Sequence, residues 1–313
     1  MIATHWLPLM RAGTEQLVSR LTPGRVGVPD AGGADAPVGL DAPSPRVPVI
    51  RVENLAAGYG DNLVLRNVTF DIHRGERFVI AGGSGSGKST LLKHMIGLHK
   101  PAAGRILIDG DDIARAQGPD LQRVIRKFGV AYQGGALFGS MTLLENVRLP
   151  LQEFTRLPPE VIDLIALSKL RLVELEDAAQ KLPSELSGGM RKRGAIARAM
   201  ALDPLIVFLD EPSAGLDPVT SASLDQLILS LNRLLGMTFV IVSHELPSIF
   251  AVADRVMVID GAARTVVALD APATLRDHSP NAWVRDFFNR RVPAPAELNQ
   301  PTRTPQGADR GAA

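Results

Sequence analysis

The stretch Gly82-Gly83-Ser84-Gly85-Ser86-Gly87-Lys88-Ser89 fits the pattern G-x-x-x-x-G-K-[ST]. An apolar run that predicts a buried strand, Phe78–Ala81, precedes it, and a predicted helix follows the glycine-rich loop Gly82–Thr90. Glycines allow backbone N–H groups to surround a phosphate, and a helix N-terminus adds partial positive charge. The stretch therefore predicts a nucleotide-phosphate site, in which Lys88 reaches the β- and γ-phosphates and Ser89 ligates Mg²⁺.

A second predicted strand ends in two carboxylates. The uninterrupted apolar run Leu205–Leu209 is followed directly by Asp210 and Glu211. In open α/β sheets, ligands bind beyond the carboxyl ends of the strands. Asp210 is suited to hold Mg²⁺, directly or through water, and Glu211 to polarise an attacking water. Such a strand alone could end in solvated acids, but the phosphate loop favours the interpretation as a catalytic site.

Strands and helical stretches alternate over residues 49–290. Uninterrupted apolar strands in such an alternation predict a parallel sheet that is covered on both faces. From about Met141 to Leu182 the pattern becomes helical, with interruptions expected at Pro150 and at Pro158-Pro159, which predicts an inserted helical subdomain. The further predicted strands are Val49–Leu55, Val68–Ile72, Arg105–Ile108, Lys127–Tyr132, Thr238–Val242 and Arg255–Ile259.

The net charge and the lack of cysteine exclude some classes of function for this chain. The chain has 313 residues, a formal net charge of +1 and no cysteine, which argues against an electrostatic nucleic-acid binder and excludes disulfides and thiolate chemistry. Its longest apolar runs fall far short of the ~20 residues of a membrane-spanning helix, and its start lacks the basic region of an export signal. Residues 1–48 contain six Gly and seven Pro, which predicts a disordered leader, and similar composition predicts a flexible tail at 291–313.

A third motif is Leu186-Ser187-Gly188-Gly189-Met190. Together with the phosphate loop it resembles the nucleotide-binding subunits of ATP-binding cassette (ABC) transporters, and the resemblance covers nearly all of 49–290. It implies an α/β fold with a P-loop NTPase core, in which a RecA-like parallel sheet is joined by an antiparallel β subdomain and by an inserted α-helical subdomain at about 134–190.

The resemblance also implies roles for single residues. Tyr59 matches the aromatic residue that stacks on adenine, Gln133 the glutamine that joins the core to the helical subdomain, and His244 the switch histidine that contacts the γ-phosphate. The catalytic residues that it implies are Lys88, Gln133, Glu211 and His244, and the implied Mg²⁺ ligands are Ser89, Gln133 and Asp210. The implied ATP contacts are Tyr59, Gly82, Gly83, Ser84, Gly85, Ser86, Gly87, Lys88, Ser89, Thr90, Ser187, Gly188, Gly189 and Asp217.

The signature residues imply a homodimer. In the family that the chain resembles, Ser187, Gly188 and Gly189 match the segment that caps the γ-phosphate held by the opposite subunit, and Asp217 matches the loop that crosses the interface. Two ATPase copies would therefore meet head-to-tail, each completing the other's site. Met190 stands where the signature often has Gln; since the phosphate contacts come from Ser187 and backbone N–H groups, this change need not impair them.

The helix after the signature carries a basic run, namely Arg191, Lys192, Arg193 and Arg198. Such a run could indicate nucleic acid. Without interleaved aromatic residues and with a near-neutral net charge, we interpret it instead as a helix whose cations face solvent or nucleotide phosphates. No nucleic-acid partner is expected.

The segments Gln133–Phe138, Met141–Val147 and Leu149–Glu153 resemble the ATPase of the Mla (maintenance of lipid asymmetry) and Mce-type systems. Met190 and the run that follows it agree with this resemblance. It implies a phospholipid or related hydrophobic cargo and a place at the cytoplasmic face of a bacterial inner membrane. The implied partners are an integral-membrane permease, a membrane-anchored Mce-domain protein and a small STAS-domain subunit.

Other functions remain open at this point. One is an importer ATPase for amino acids or other polar solutes. Another is a soluble, non-transport ABC ATPase, although such proteins often carry two cassettes or long insertions and this chain has neither. A scaffold that uses ATP only to hold a dimer together is disfavoured by Glu211 and His244.

Near the C-terminus, Ser279-Pro280 predicts a helix start, with Ser as N-cap and Pro as first helical residue. The apolar residues that follow at helical spacing are Trp283, Val284, Phe287 and Phe288. They predict either a stripe that packs on the protein's own core or a docking face for a second ATPase copy or the STAS-type subunit.

Overall fold

The computed structural model describes residues 48–60 and 62–291. The predicted leader, apart from Pro48, and the predicted tail, apart from Arg291, lie outside the described residues. The described strands are β1 (Pro48–Tyr59), β2 (Asn62–His73), β3 (Arg77–Gly82), β4 (Ala103–Ile108), β5 (Asp111–Asp112), β6 (Phe128–Ala131), β7 (Ile206–Asp210), β8 (Thr238–Val242), β9 (Arg255–Asp260) and β10 (Thr265–Asp270). The described α-helices are α1 (Lys88–Met95), α2 (Gly118–Ile125), α3 (Leu143–Phe154), α4 (Pro159–Leu172), α5 (Gly188–Ala199), α6 (Pro218–Leu235), α7 (Leu246–Val252), α8 (Pro272–His278) and α9 (Ala282–Asn289).

The larger sheet has six strands in the order β10-β9-β3-β8-β7-β6. Its strands β9, β3, β8, β7 and β6 are parallel, and β10 runs antiparallel to β9 at the edge. In β3, Phe78 and Ile80 belong to one buried cluster and Val79 and Ala81 to the other. Side chains alternate between the faces of a strand, so a run that is apolar at every position is buried on both sides. The predicted parallel sheet with two covered faces is confirmed.

The smaller sheet is antiparallel, with strand order β2-β1-β4-β5. Ile50 of β1 pairs with Ile72 of β2 on one side and with Ile108 of β4 on the other. These three side chains are fully buried in the cluster that also covers one face of the larger sheet. The antiparallel β subdomain that the resemblance implied is therefore present.

Helices α3 and α4 lie between β6 and β7 in the chain. A capping box starts α3, since the Thr142 hydroxyl accepts from the Glu145 N–H and the Glu145 carboxylate accepts from the Thr142 N–H. The predicted interruption at Pro150 is wrong, because Pro150 lies inside α3. The buried stripe that Leu143, Val147 and Leu151 form extends past the proline, and its packing outweighs the lost backbone hydrogen bond. Pro159 begins α4, in agreement with the predicted break.

The last described helix begins later than predicted. Ser279 is the C-terminal cap of α8, and Asn281 is the N-cap of α9. The Asn281 side-chain oxygen accepts hydrogen bonds from the N–H groups of Trp283, at 3.0 Å, and Val284. Asn caps a helix as well as Ser does, and the start at Asn281 directs Val284 into the core. The predicted cap at Ser279 is therefore wrong, whereas the apolar stripe is confirmed as helical.

The stripe on α9 packs on the protein's own core. Val284 and Phe288 are 0% and 3% exposed, and the Phe288 ring meets Phe250 edge to face at 5.9 Å. Trp283 and Phe287 are half-buried against the same cluster. Packing on the core is thus the observed role of the buried half of this stripe.

Phe288→Ala is expected to destabilise the isolated protein strongly. Removal of a buried aromatic side chain costs about 3–5 kcal/mol of unfolding free energy, and each kcal/mol lowers the Tm of a domain of this size by about 2–4 °C. We therefore expect thermal unfolding to occur about 6–20 °C lower. Leu234→Ala, at a side chain that is 73% exposed, serves as control and should change Tm by about 2 °C or less. Equal Tm values for the two variants would contradict the packing of α9 on the core.

Candidate functional site

Three parallel strands end at the same edge of the larger sheet. In the register of the sheet, Val242 of β8 lies beside Ile80 of β3 on one side and beside Asp210 of β7 on the other. The phosphate loop follows β3, Glu211 follows β7, and His244 lies two residues beyond β8. The fold therefore brings together the predicted phosphate loop, the two carboxylates and the histidine.

The phosphate loop needs glycine at two positions. Gly87 caps α1 with a φ of 102°, and a Cβ atom there would lie 2.9 Å from Val64 Cγ1. Gly82 has a φ of 149°, and its Cβ would lie 2.4 Å from the Ile259 carbonyl oxygen. Both residues combine a positive φ with close packing, which only glycine accommodates. The loop thus delivers the chain to the N-terminus of α1, where free N–H groups can bind an anion.

Lys88 is the first residue of α1 and is buried. Its Nζ donates hydrogen bonds to the carbonyl oxygens of Gly82 and Gly83, both at 2.9 Å. Burial lowers the pKa of Lys88, while the negative charges of Glu211 and Asp210 oppose that shift. A desolvated ammonium group at a helix N-terminus is suited to an anionic ligand, because a phosphate would compensate its charge.

Asp210 and Glu211 present oxygens that lack hydrogen-bond partners. Within the described part of the chain, Asp210 Oδ1 and Glu211 Oε2 are buried and accept no hydrogen bond. Burial raises the pKa of Asp210, and the neighbouring Glu211 charge raises it further. Unpaired carboxylate oxygens beside a phosphate loop fit Mg²⁺, which binds one or two carboxylates together with substrate phosphates. The exposed hydroxyl of Ser89, on the first turn of α1, is available as a further oxygen ligand.

Glu211 is held in a defined position. Its φ is 48°, its N–H donates to the Val242 carbonyl at 2.9 Å, and its Oε1 accepts from His244 Nδ1 at 2.8 Å. A non-glycine residue in the left-handed region is uncommon and often occurs at functional sites. The arrangement leaves Oε2 available to polarise a water molecule.

Tyr59 lies at the end of β1 with 43% of its surface exposed. Thr90 Oγ1 donates to its hydroxyl at 3.4 Å, and the His99 ring packs edge to face against it at 5.0 Å. These contacts place an accessible aromatic ring beside α1 and the phosphate loop. Its role in adenine stacking stays a prediction, and sequence reasoning missed the support from His99.

The signature residues and Asp217 lie next to each other. Ser187 caps α5 by accepting from the Met190 N–H at 3.2 Å. Asp217 caps α6 by accepting from the N–H groups of Val219 and Thr220, both at 3.0 Å. A Cβ atom on Gly189 would lie 2.5 Å from Thr220 Cγ2, so α5 and α6 are in close contact at this point. Both side chains are thus helix caps in the single chain, and their roles in a dimer stay predictions.

The basic residues of α5 were expected to face solvent or nucleotide phosphates, and they differ in what they contact. Arg193 pairs with Glu174, and Arg191 donates to the Leu186 carbonyl. Lys192 instead points inward and donates to the carbonyl oxygens of Gln133 and, at 3.0 Å, of Glu211.

Arg198 also turns inward, where it donates to the Ala136 carbonyl at 2.7 Å. The expectation that these cations face solvent is therefore wrong for Lys192 and Arg198, which bind backbone carbonyls, and their facing of nucleotide phosphates stays a prediction. The sequence did hold a signal, because Lys192 precedes the buried pair Ala195 and Ile196 by three and four residues and so shares their helix face.

The sheet, the phosphate loop and the carboxylates at its strand ends define a P-loop nucleoside triphosphatase. The family model for ABC transporters matches residues 65–214. With the relatives described below, this shows that the chain belongs to the ABC transporter ATP-binding proteins, which makes it an ATPase.

Several relatives are named after the transport system to which they belong. The chain is 41% identical over 211 residues to the intermembrane phospholipid transport system ATP-binding protein MlaF of Haemophilus influenzae, covering 67% of this chain and 80% of the relative. It is 38% identical over 242 residues to MlaF of Escherichia coli K12, covering 77% and 89%. It is also 40% identical over 265 residues to the probable ribonucleotide transport ATP-binding protein mkl of Mycobacterium leprae, covering 85% and 76%. The predicted resemblance to the Mla ATPases is confirmed.

Solved structures agree with the fold. CbiO1 from Clostridium perfringens, part of the ABC transporter complex cbiONQ, matches with a TM-score of 0.68 and 29% identity, covering 74% of this chain and 91% of the other. The dimeric ATP-binding cassette MJ0796, in a post-hydrolysis state with ADP and Pi, matches with a TM-score of 0.64 and 33% identity, covering 71% and 98%. Over residues 48–60 and 62–291, no helix has the length and apolar character that a membrane span requires.

Proposed function

We propose that this chain is the ATP-hydrolysing subunit of a bacterial ABC transporter of the Mla/Mce type, which moves phospholipids or other hydrophobic molecules. The observation that carries the proposal is the 38–41% identity to MlaF proteins over 80–89% of their length. The subunit would act at the cytoplasmic face of the inner membrane. Its partners would be an integral-membrane permease, an Mce-domain protein and a STAS-domain subunit.

Each residue of the site has its own role in the proposed reaction. Lys88 and the N–H groups of the phosphate loop bind the β- and γ-phosphates, and Ser89, Asp210 and Gln133 would hold Mg²⁺. The ion would neutralise charge that develops on the phosphate oxygens. Glu211 orients and polarises the attacking water, and His244 fixes the Glu211 carboxylate through its 2.8 Å hydrogen bond. In-line attack on the γ-phosphate depends chiefly on such positioning and on electrostatic stabilisation.

A complete site needs two copies of the chain. The signature, Ser187 to Gly189, and Asp217 would each serve the nucleotide of the opposite copy, so that ATP binding closes a head-to-tail homodimer and hydrolysis reopens it. The dimeric MJ0796 cassette, which covers 71% of this chain, supports this proposal by analogy. We assign the ATPase domain to 49–290, with the helical subdomain at about 134–190, a leader at 1–48 and a tail at 291–313.

Co-purification in mild detergent tests the cargo class. An Mla/Mce-type system predicts that the chain is recovered with a permease and an Mce-domain protein, and that the reconstituted complex moves labelled phospholipid between vesicles when ATP is supplied. Recovery with a permease and a solute-binding protein would overturn the lipid proposal, and recovery without any membrane protein would overturn the transport role.

A second candidate is a transporter ATPase for a polar solute. The M. leprae relative, 40% identical over 265 residues, is named for ribonucleotide transport, and this name favours the second candidate. ATP-dependent uptake of labelled ribonucleotides or amino acids by vesicles that contain the complex, without transfer of phospholipid, would select it.

Gln133→Ala is expected to weaken coupling to the membrane partners while ATP binding is retained. Gln133 is exposed on the turn after β6 and gives no contact to the phosphate loop among the described residues. We expect the Kd for ATP measured without Mg²⁺ to change less than about twofold, whereas the stimulation of ATPase activity by the reconstituted permease falls by about fivefold or more. Equal stimulation of mutant and wild type would remove Gln133 from the coupling path.

A further inference from the structure

Lys192 joins two segments that are far apart in sequence. From the second turn of α5, its Nζ donates to the backbone carbonyl of Glu211 at 3.0 Å and to that of Gln133. The side chain is half-buried, and among the described residues it forms no ion pair. Its hydrogen-bond acceptors are therefore backbone carbonyl oxygens rather than carboxylates.

The half-buried ammonium group of Lys192 has acceptors for its charge. A desolvated ammonium group is unfavourable unless acceptors compensate it, and the two carbonyl oxygens are its hydrogen-bonded acceptors here.

The bond to Glu211 completes the restraint of that residue. Its N–H donates to the Val242 carbonyl, and its own carbonyl accepts from Lys192 and, at 3.2 Å, from the Ala214 N–H, while the backbone keeps a φ of 48°. A non-glycine residue keeps a left-handed backbone conformation only when its surroundings hold it there. The backbone position sets the point from which the side chain extends, so these backbone bonds act together with the hydrogen bond from His244 to hold the Glu211 carboxylate.

The Gln133 segment is restrained from the same helix. Lys192 binds the carbonyl of Gln133, and Arg198, about a turn and a half further along α5, binds the carbonyl of Ala136 at 2.7 Å. A rigid helix with two cationic donors thus fixes the loop after β6 relative to the end of β7.

We infer that Lys192 is a positioning residue for ATP hydrolysis, which fixes the backbone of Glu211 relative to that of Gln133 through its two carbonyl hydrogen bonds. The inference rests on the roles proposed above for Glu211 and Gln133. It goes beyond them because Lys192, over residues 48–60 and 62–291, forms no hydrogen bond with the phosphate loop and no ion pair, and acts on the reaction through the residues it holds.

Lys192→Met tests the inference, since it keeps the length of the side chain and removes the donor. Loss of a charge-assisted hydrogen bond that supports the transition-state geometry should lower kcat by about tenfold. KM for ATP and the Kd for ATP should stay within about twofold, because the phosphate contacts are intact. Lys192→Arg restores a cationic donor and should return at least about half of the wild-type kcat.

Arg193→Met is the matched control on the same helix. Arg193 pairs with Glu174, and the two side chains are 25% and 79% exposed, so solvent screens the pair from the side of Glu174 and its contribution is small. We expect wild-type kcat, KM and Tm for this variant. Lys192→Gln, a shorter and uncharged donor, is measured in parallel and should show an intermediate kcat, so that the test holds if the methionine variant folds poorly.

Two results would overturn the inference. One is a wild-type kcat for Lys192→Met. The other is a kcat that falls only in proportion to lost stability, without recovery in Lys192→Arg, since this would assign Lys192 a purely structural role. Glu211→Gln is assayed alongside: if that variant hydrolyses ATP normally, the proposed site itself has failed, whereas an inactive Glu211→Gln beside a fully active Lys192→Met rejects only the role of Lys192.

Discussion

Lys88→Ala is expected to abolish ATP hydrolysis. The Lys88 ammonium lies buried at the first turn of α1, where it donates to the Gly82 and Gly83 carbonyls at 2.9 Å. Removal of one preorganised donor to a charged transition state costs about 10²–10³-fold in rate. Because Lys88 also contributes to binding of the phosphates, we expect kcat/KM to fall by about 10³-fold or more. Phosphate release from ATP at saturating Mg²⁺ measures this directly.

The folded state should tolerate this change. Burial lowers the pKa of Lys88, so the ammonium is held at a desolvation cost that offsets its two hydrogen bonds, and its removal should change Tm by less than about 5 °C. Lys100→Met removes an exposed cation shortly after α1 and should leave kcat/KM and Tm at wild-type values. An active Lys88→Ala protein would contradict the assignment of the phosphate site. A variant whose Tm falls by more than about 5 °C would contradict the view that this ammonium is held at a cost.

The sequence could predict those parts of the site whose residues lie next to each other in the chain, as in the phosphate loop. Gly82, Gly87 and Lys88 can be recognised because a loop that leads into a helix around a phosphate requires these residue types. Asp210 can be recognised because it ends a buried strand. The structure adds the reason for each glycine, since a Cβ atom at Gly82 or Gly87 would lie within 3 Å of another residue. The parallel register then brings these motifs together, as the alternation of strands and helices indicated.

The parts that sequence could not predict depend on contacts between distant segments. Nothing near Lys192 in the chain shows that its acceptors would be carbonyls 59 and 19 residues away. The choice of Asn281 over Ser279 as the cap of α9 rests on how Val284 and Phe288 meet the core, since both cap residues are locally favourable. Strand β10 was not predicted, because each of its first five side chains is half-buried and the usual alternation is absent.

Glu211→Gln is expected to separate ATP binding from hydrolysis. The substitution keeps the shape of the side chain and removes the charge that orients and polarises water. General-base catalysis contributes about 10²–10⁴-fold, so kcat should fall by a factor in this range. Lys88 and the phosphate loop are unchanged, and Asp210 keeps its unpaired oxygen, so Mg-ATP should still bind. A homodimer that closes on ATP and reopens on hydrolysis should therefore accumulate in its closed form.

Light scattering after size-exclusion chromatography, with ATP and Mg²⁺ in the buffer, provides the measurement. Glu211→Gln should elute as a dimer that persists, while the wild type returns to monomer as ATP is consumed. Glu160→Gln, at an exposed residue in the first turn of α4, should behave as wild type. Hydrolysis at the wild-type rate by Glu211→Gln would remove Glu211 from the reaction. Loss of nucleotide binding together with hydrolysis would instead reassign its unpaired Oε2 from water activation to the binding of Mg²⁺, since the same buried oxygen is available to either partner.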